Sequence, residues 1–384
     1  MKYDADCGKL VCMACDLQRD VDDGGAAVEE WLLADYSQRE ERALPFYGVE
    51  TFSCAACGAQ IDFHGDEAAK LCPMCSSPQI GVGRLTAGIP PDSVVPFKIE
   101  KNAAQEMFKK WITERFFAPS ELKRSYQEGR LQGVYLPFWT FDAVASGRYF
   151  GRGGVVKEDK GGEKKVVWTF VSGELSMNFD DVAVCATTGD GVKLASKVMP
   201  FGTRISLPYS PEYLSGYSAQ RYRGSALNAF EWAKDEMHKR LELLASNNIL
   251  MRGFTEAEVT RIDVEFENVK YKQVLVPVWT SSFIYRGEKY SYAINGETGR
   301  VAGEYPKSAV KIAAAVIAVA AIIYALCFGG SRLDTGSQGA RRSEIILEHG
   351  TFEATDSTVR YSSADGVVYY DMADNDSVRT YDMA

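Results

Sequence analysis

Gly133-Val-Tyr-Leu-Pro-Phe-Trp-Thr-Phe-Asp142 is a β-rich run with a proline inside it, and its core returns 140 residues later as Val274-Leu-Val-Pro-Val-Trp-Thr280. Gly147-Arg-Tyr and Gly287-Glu-Lys-Tyr keep nearly the same offset. The recurrence reads as two related helix-then-sheet halves, or as two proline-containing strands that agree by chance. With the first reading, residues 91–308 form a two-part α+β domain with an internal repeat.

The text around both runs fits that class. A short strand, Val94-Val-Pro-Phe-Lys-Ile, precedes a helix whose Asn102 and Gln105 have capping-box spacing and whose Met107, Phe108, Trp111, Ile112 and Phe116 share a buried face. A second helix starts near Ser120. The Gly- and Lys-rich stretch 151–165 reads as a solvated hairpin tip, with strands following through 166–187. A long amphipathic helix is expected over 226–246, ended by Ser246-Asn-Asn. Tyr290–Ile294, Asn295-Gly-Glu-Thr-Gly299 and Arg300-Val-Ala read as a hairpin closed by an Asn-Gly turn.

Upstream lies the cysteine-rich part. Cys54-Ala-Ala-Cys57 is followed after fourteen residues by Cys72-Pro-Met-Cys75. Each C-x-x-C turns two thiolates toward one ion, and two such knuckles complete a tetrahedral zinc site. Four thiolates leave no coordination position for water, so the expected Zn²⁺ is structural. A redox pair or an iron–sulfur cluster fits less well, because neither C-x-x-C sits in a βαβ context. Cys12-Met-Ala-Cys15 is half of a second ribbon, with Cys7 as a candidate third ligand or the pair as a degenerate ribbon that binds nothing. The chain thus divides into a partial ribbon (1–15), an acidic, partly helical connector (16–50), a four-cysteine ribbon (51–90) and the α+β domain (91–308).

Beyond it, Ile312–Phe328 is a run of seventeen residues without a charge. A helix over 309–330 would be just long enough to cross a hydrocarbon core of about 30 Å. The N-terminus has no apolar run of the kind a secretory signal needs, and zinc thiolates favour a reducing compartment. A single-pass protein of the cell membrane with its ribbon in the cytoplasm is therefore expected. The tail, 331–384, has ten Asp/Glu against five Lys/Arg and reads as a disordered acidic extension.

Among 384 residues, 46% are hydrophobic and 25% charged, and the net charge is −9. That balance opposes a surface built to neutralise phosphates. Residues 50–90 hold Glu50, Asp62, Asp66 and Glu67 against Lys70 and Arg84, so nucleic-acid binding is a weaker alternative. No H-E-x-x-H, G-x-S-x-G or dinucleotide fingerprint occurs, and three histidines offer few bases. His238 is expected on a solvated helix face, Cys185 in a buried strand, and Asp142 at a hairpin position unless the α+β domain is an enzyme of unfamiliar type.

On the Cys54–Cys75 ribbon, Val94-Val-Pro-Phe-Lys, Phe117-Ala-Pro-Ser-Glu-Leu, Gly133–Asp142, Tyr213-Leu-Ser-Gly-Tyr217, Leu275-Val-Pro-Val-Trp and Asn295-Gly-Glu-Thr-Gly, the chain resembles a family of uncharacterised bacterial membrane-anchored proteins with transcription factor IIB-type zinc ribbons. Relatives in that family look as though they carry a complete first ribbon, from which Cys12 and Cys15 depart. Some are labelled as related to a primosomal helicase, yet no phosphate-cradling G-x-x-x-x-G-K-[ST] loop is present here. The function these features suggest is a non-enzymatic interaction or scaffold module that holds a cytoplasmic protein partner at the membrane.

Overall fold

A computed structural model describes the chain outside residues 23–26, 44–48, 55–58, 65–71, 73–87, 126–130, 159–163, 188–194, 287, 329–342, 348–349, 355–357, 364–365, 372–377 and 382–384. The fold is mixed α+β, with large sheets and few helices. Residues 1–108 with 127–304 make one compact unit, and 109–126 with 305–384 make another.

In the first unit the ordering elements are β1 (Ser93–Val94), α1 (Lys101–Glu114, which continues into the second unit), β2 (Gln132–Glu158), β3 (Lys164–Cys185), β4 (Ser218–Gln220), α2 (Ala226–Leu250), β5 (Glu256–Tyr285), β6 (Glu288–Asn295) and β7 (Val301–Gly303). The two proline–tryptophan runs lie at the start of β2 and near the end of β5, and they pair with each other. Their antiparallel register sets Leu136 opposite Val276, Tyr135 opposite Pro277 and Pro137 opposite Leu275. Only Leu136 faces its own counterpart, Val276; around that pair the other positions cross symmetrically, Tyr135 with Pro277 and Pro137 with Leu275.

The flanking elements repeat the relation crosswise. β1 runs parallel to β5, with Ser93 beside Val274, and β4 runs parallel to β2, with Ser218 beside Val134. Trp139 donates its indole N–H to Gly224 O at 3.0 Å, and Trp279 donates to Ile99 O at 2.8 Å. Tyr222 lies edge-on to Trp139 at 5.2 Å, as Phe97 lies against Trp279 at 5.0 Å. The members of each of these pairs, Ser93 and Ser218, Phe97 and Tyr222, Ile99 and Gly224, stand 125 residues apart. Each short strand and its following loop therefore serve a long strand distant in sequence, β1 serving β5 and β4 serving β2.

The long strands bend at register shifts between Phe141 and Ala143, between Val259 and Arg261, and between Glu267 and Lys270. At Gly147 a Cβ would lie 2.1 Å from Asp263 O, so only glycine permits the approach of β2 to β5 there. One face of this ribbon is covered by α2. Ser225 caps it by accepting from Asn228 N, and Ala226, Ala229, Ala233, Met237, Leu241, Ala245 and Ile249 form its buried stripe.

Several sequence expectations are corrected. α1 stops at Glu114, and Phe116, past its end, is exposed. The stretch expected as a hairpin tip is strand as far as Glu158, because Phe254 packs over Gly153 and the ladder to β3 and β5 continues. α2 does not end at Ser246-Asn-Asn, since Ile249 extends the buried stripe by one more turn before Gly253, with φ of +92°, reverses the chain. The hairpin β6–β7 pairs Ile294 with Val301 as expected, but its glycines act differently: Gly299 takes the positive φ, while Gly296 makes room for the Phe97 ring.

In the second unit, α3 (Ala309–Phe328) occupies the place expected for a membrane segment. Its side chains are described as far as Tyr324, and among the described residues no helix is long and apolar enough to cross a membrane. The tail is not without structure. Ser343–Leu347, Gly350–Ala354, Thr358–Ser363, Gly366–Asp371 and Val378–Tyr381 form a five-stranded antiparallel meander, in which β-branched and aromatic residues outweigh the acidic composition.

Candidate functional site

Cys54 follows the first strand of a hairpin: Val49–Ser53 pairs with Gln60–His64, and Cys54 N donates to Ala59 O at 2.9 Å. This hairpin is an edge of the large sheet, because Ala219 and Gln220 of β4 pair with Asp62 and Ile61. Cys54 and Cys72 are buried in one apolar cluster with Ile61, Val95, Leu136, Phe138 and Val276. Cys57 and Cys75 lie outside the described residues.

The N-terminal cysteines stand on a separate three-stranded sheet, Lys2–Asp4, Lys9–Val11 and Gln18–Arg19. Cys12 and Cys15 occupy the turn after the second strand, where the amide of Ala14, the Cys15 thiol and the Cys15 amide all pull the Cys12 thiol below its ordinary pKa. Cys7 is in the turn before that strand, at its opposite end, and its amide donates to Asp4 Oδ1. Among the described residues Cys7 does not join Cys12 and Cys15 in a group of ligand atoms. Cys185 is buried, as expected, and burial pushes its thiol up to about 12. His238 is half-buried, with its ring 5.7 Å from Phe266, and not on a fully solvated face.

A second site was not anticipated. Glu30, Asp142 and Asp181 bring carboxylate oxygens within 4.8 Å of one another. Lys272 Nζ sits between two of them, 3.0 Å from Glu30 Oε1 and 2.9 Å from Asp181 Oδ1. Asp142 stands alone opposite the β3 bulge at Asp180–Asp181 and accepts from the Asp181 amide at 2.8 Å, while Asp181 holds a positive φ of 53°. The facing strand shifts register at the same level, where Asn268 has φ of 51°. Bulges here aim side chains that a regular ladder would point elsewhere.

Electrostatics follow from the crowding. Burial, then the negative charges of Glu30 and Asp181, raise Asp142 to about 6 against the pull of the Asp181 amide. Glu30 is lowered, because Lys272 outweighs burial. Lys272 is raised, because its two carboxylate partners outweigh burial. The ammonium therefore stays charged and fills the cation position of the group, while Asp142 is held well above the ordinary carboxylate range. Next to it, Asp92 receives Arg39 Nη2 at 2.5 Å, the Trp31 indole N–H at 2.9 Å and the Gln273 amide at 2.7 Å. Together the two groups fasten the connector, through Glu30, Trp31 and Arg39, to β5 and the residue preceding β1.

Glu30 and Lys272 are 242 residues apart, so no local pattern joins them. The available signal was Lys272 itself, a charge inside the otherwise strand-core text Tyr271-Lys-Gln-Val-Leu-Val.

No family model matches the chain, and no solved structure matches it. Over 234 residues, 60% of this chain and 68% of the relative, it is 26% identical to the uncharacterized protein YdjG of Bacillus subtilis (strain 168).

Proposed function

We propose that this chain is a non-enzymatic, membrane-anchored zinc-ribbon protein that holds a protein partner at the cytoplasmic face of the cell membrane. The observation that carries the reading is the surface of α3. Twenty residues of helix span about 30 Å, the thickness of a hydrocarbon core. Val316 and Ile317 are 62% and 68% exposed, and no residue from Ala309 to Tyr324 is buried. A helix that is apolar on every side belongs in an apolar medium. The one charge inside it, Lys311, turns back and donates to Phe116 O and Ala118 O at 3.0 and 2.9 Å, which relieves the cost of its position.

In the same reading Cys54, Cys57, Cys72 and Cys75 hold one structural Zn²⁺, and residues 91–308 are duplicated halves, supported by their matched registers and tryptophan hydrogen bonds. When bound, the metal would crosslink the two knuckles and take no part in chemistry. High-pH extraction of membranes tests the anchor: the protein should stay in the pellet, and release into the supernatant sinks the reading. Protease outside intact cells should shorten the chain only after residue 330. Cleavage in the ribbon would reverse the orientation.

A further inference from the structure

We propose that β3 pairs edge to edge with β3 of a second copy of this chain, antiparallel, with the two-fold axis passing at Ser172. β3 is 22 residues long and pairs with β2 along one side. Among the described residues no strand pairs with its other side. Free edges of that length are normally guarded by charges, proline or a covering loop. Here Val166-Val-Trp-Thr-Phe-Val-Ser-Gly173 has no charge and no proline, is rich in strand-forming residues, and leaves Phe170 87% exposed.

The charges at the two ends say which strand fits. Leu175 and Phe179 point into the core beneath α2, so the even-numbered residues from Lys164 to Asp180 line the outer face. About Ser172, antiparallel pairing sets Lys164 opposite Asp180 of the second copy, Phe170 opposite Glu174 and Trp168 opposite Ser176. Symmetry makes each of these contacts twice. A parallel arrangement would instead set Lys164 beside Lys164, and Asp180 beside Asp180. Asp180 now meets Arg204 at 2.9 Å with both side chains more than half exposed, so Lys164 of the second copy can join that pair. The basic start and acidic end of one strand are complementary to themselves when reversed.

The test uses the full chain in detergent micelles, with protein mass determined by light scattering. Two copies are expected. Phe170→Glu, which places like charges against Glu174 twice, should give single copies with an unchanged circular dichroism spectrum. Lys164→Asp should weaken the pair at least tenfold, and adding Asp180→Lys should restore it. Ser172→Cys should crosslink to a double-mass, reductant-sensitive species several times more than Ser176→Cys, since residues on the axis are the ones whose Cα atoms come within disulfide reach of each other. Single copies of the unaltered protein at all concentrations overturn the proposal. So does a dimer that Phe170→Glu leaves intact, or one that crosslinks equally at both positions.

Discussion

Replacing Asp142 by Asn turns the charge group around Lys272 into a measurable pH dependence. Asp142 moves from 3.8 to about 6 on folding. A shift of that size corresponds to about 3 kcal/mol at 1.36 kcal/mol per pH unit. Asp142 is only part-buried and its neighbours share the effect, so solvent screening reduces the usable figure to about 1–2 kcal/mol. The folded state binds the proton more tightly than the unfolded state. Stability from this group is therefore complete below pH 3.8 and is lost as pH rises through about 6. Asn has the shape and hydrogen-bonding capacity of the protonated acid and never ionises. Relative to the parent, Asp142→Asn should be near neutral at pH 4 and more stable by about 1–2 kcal/mol at pH 7.5. Urea unfolding of the full chain in mild detergent, followed by tryptophan fluorescence at pH steps of one half, reads the difference directly. Parallel curves for the two proteins would refute the electrostatic account. A variant that loses stability more steeply above pH 6 would refute even its sign.

Lys272→Met should cost about 3–5 kcal/mol, because the Asp181 side chain, 2% exposed, would keep a charge with no cation beside it; adding Asp181→Asn should recover part of that loss in the urea midpoint. Elemental analysis should find one zinc per chain, and Cys57→Ser should remove it. Structural zinc supplies about 10–16 kcal/mol of binding. Because Cys54 and Cys72 share their cluster with Leu136, Phe138 and Val276, that loss should raise hydrogen exchange at the start of β2 and near the end of β5 as well as in the hairpin. Exchange confined to residues 49–64 would show that the ribbon unfolds by itself.

The strongest local signals in the chain predicted elements well and their partners poorly. Val134–Thr140 and Val274–Thr280 announce strands, and their likeness hints at two halves, yet nothing in either run says that Leu136 faces Val276. Cys54-Ala-Ala-Cys57 announces a tight hairpin, but the hairpin's pairing with Ser218–Gln220 joins segments with no common pattern. Where the reading relied on one kind of signal, a second overrode it. Composition made the tail acidic and disordered, while the period-two runs Thr358–Ser363 and Gly366–Asp371 pair as strands. Ser246-Asn-Asn offered a helix stop, and the buried Ile249 outweighed it. The Glu30–Asp142–Asp181–Lys272 group escaped altogether, because each member is ordinary where it stands and only two bulges bring them together.

The two proline–tryptophan strands are most informative where their surroundings differ. With the 140-residue offset, Trp139 corresponds to Trp279, and each donates to a carbonyl just before a helix, α2 or α1. Such paired features hold the sheet together on both strands alike. Lys272, by contrast, corresponds to Gln132, and Asp142 to Ser282, so the charge group exists on one side only. That side is where the connector docks: Trp31 and Leu32 pair with Tyr271 and Lys270, Glu30 reaches Lys272, and Arg39 reaches Asp92. A symmetric pair of halves would offer two equivalent docking edges. Charges placed in one of them select a single edge for the segment that leads from the N-terminal cysteines to the Cys54 hairpin. The asymmetry thus does for the connector what the shared tryptophans do for the core: it fixes one docking position through Glu30, Trp31 and Arg39.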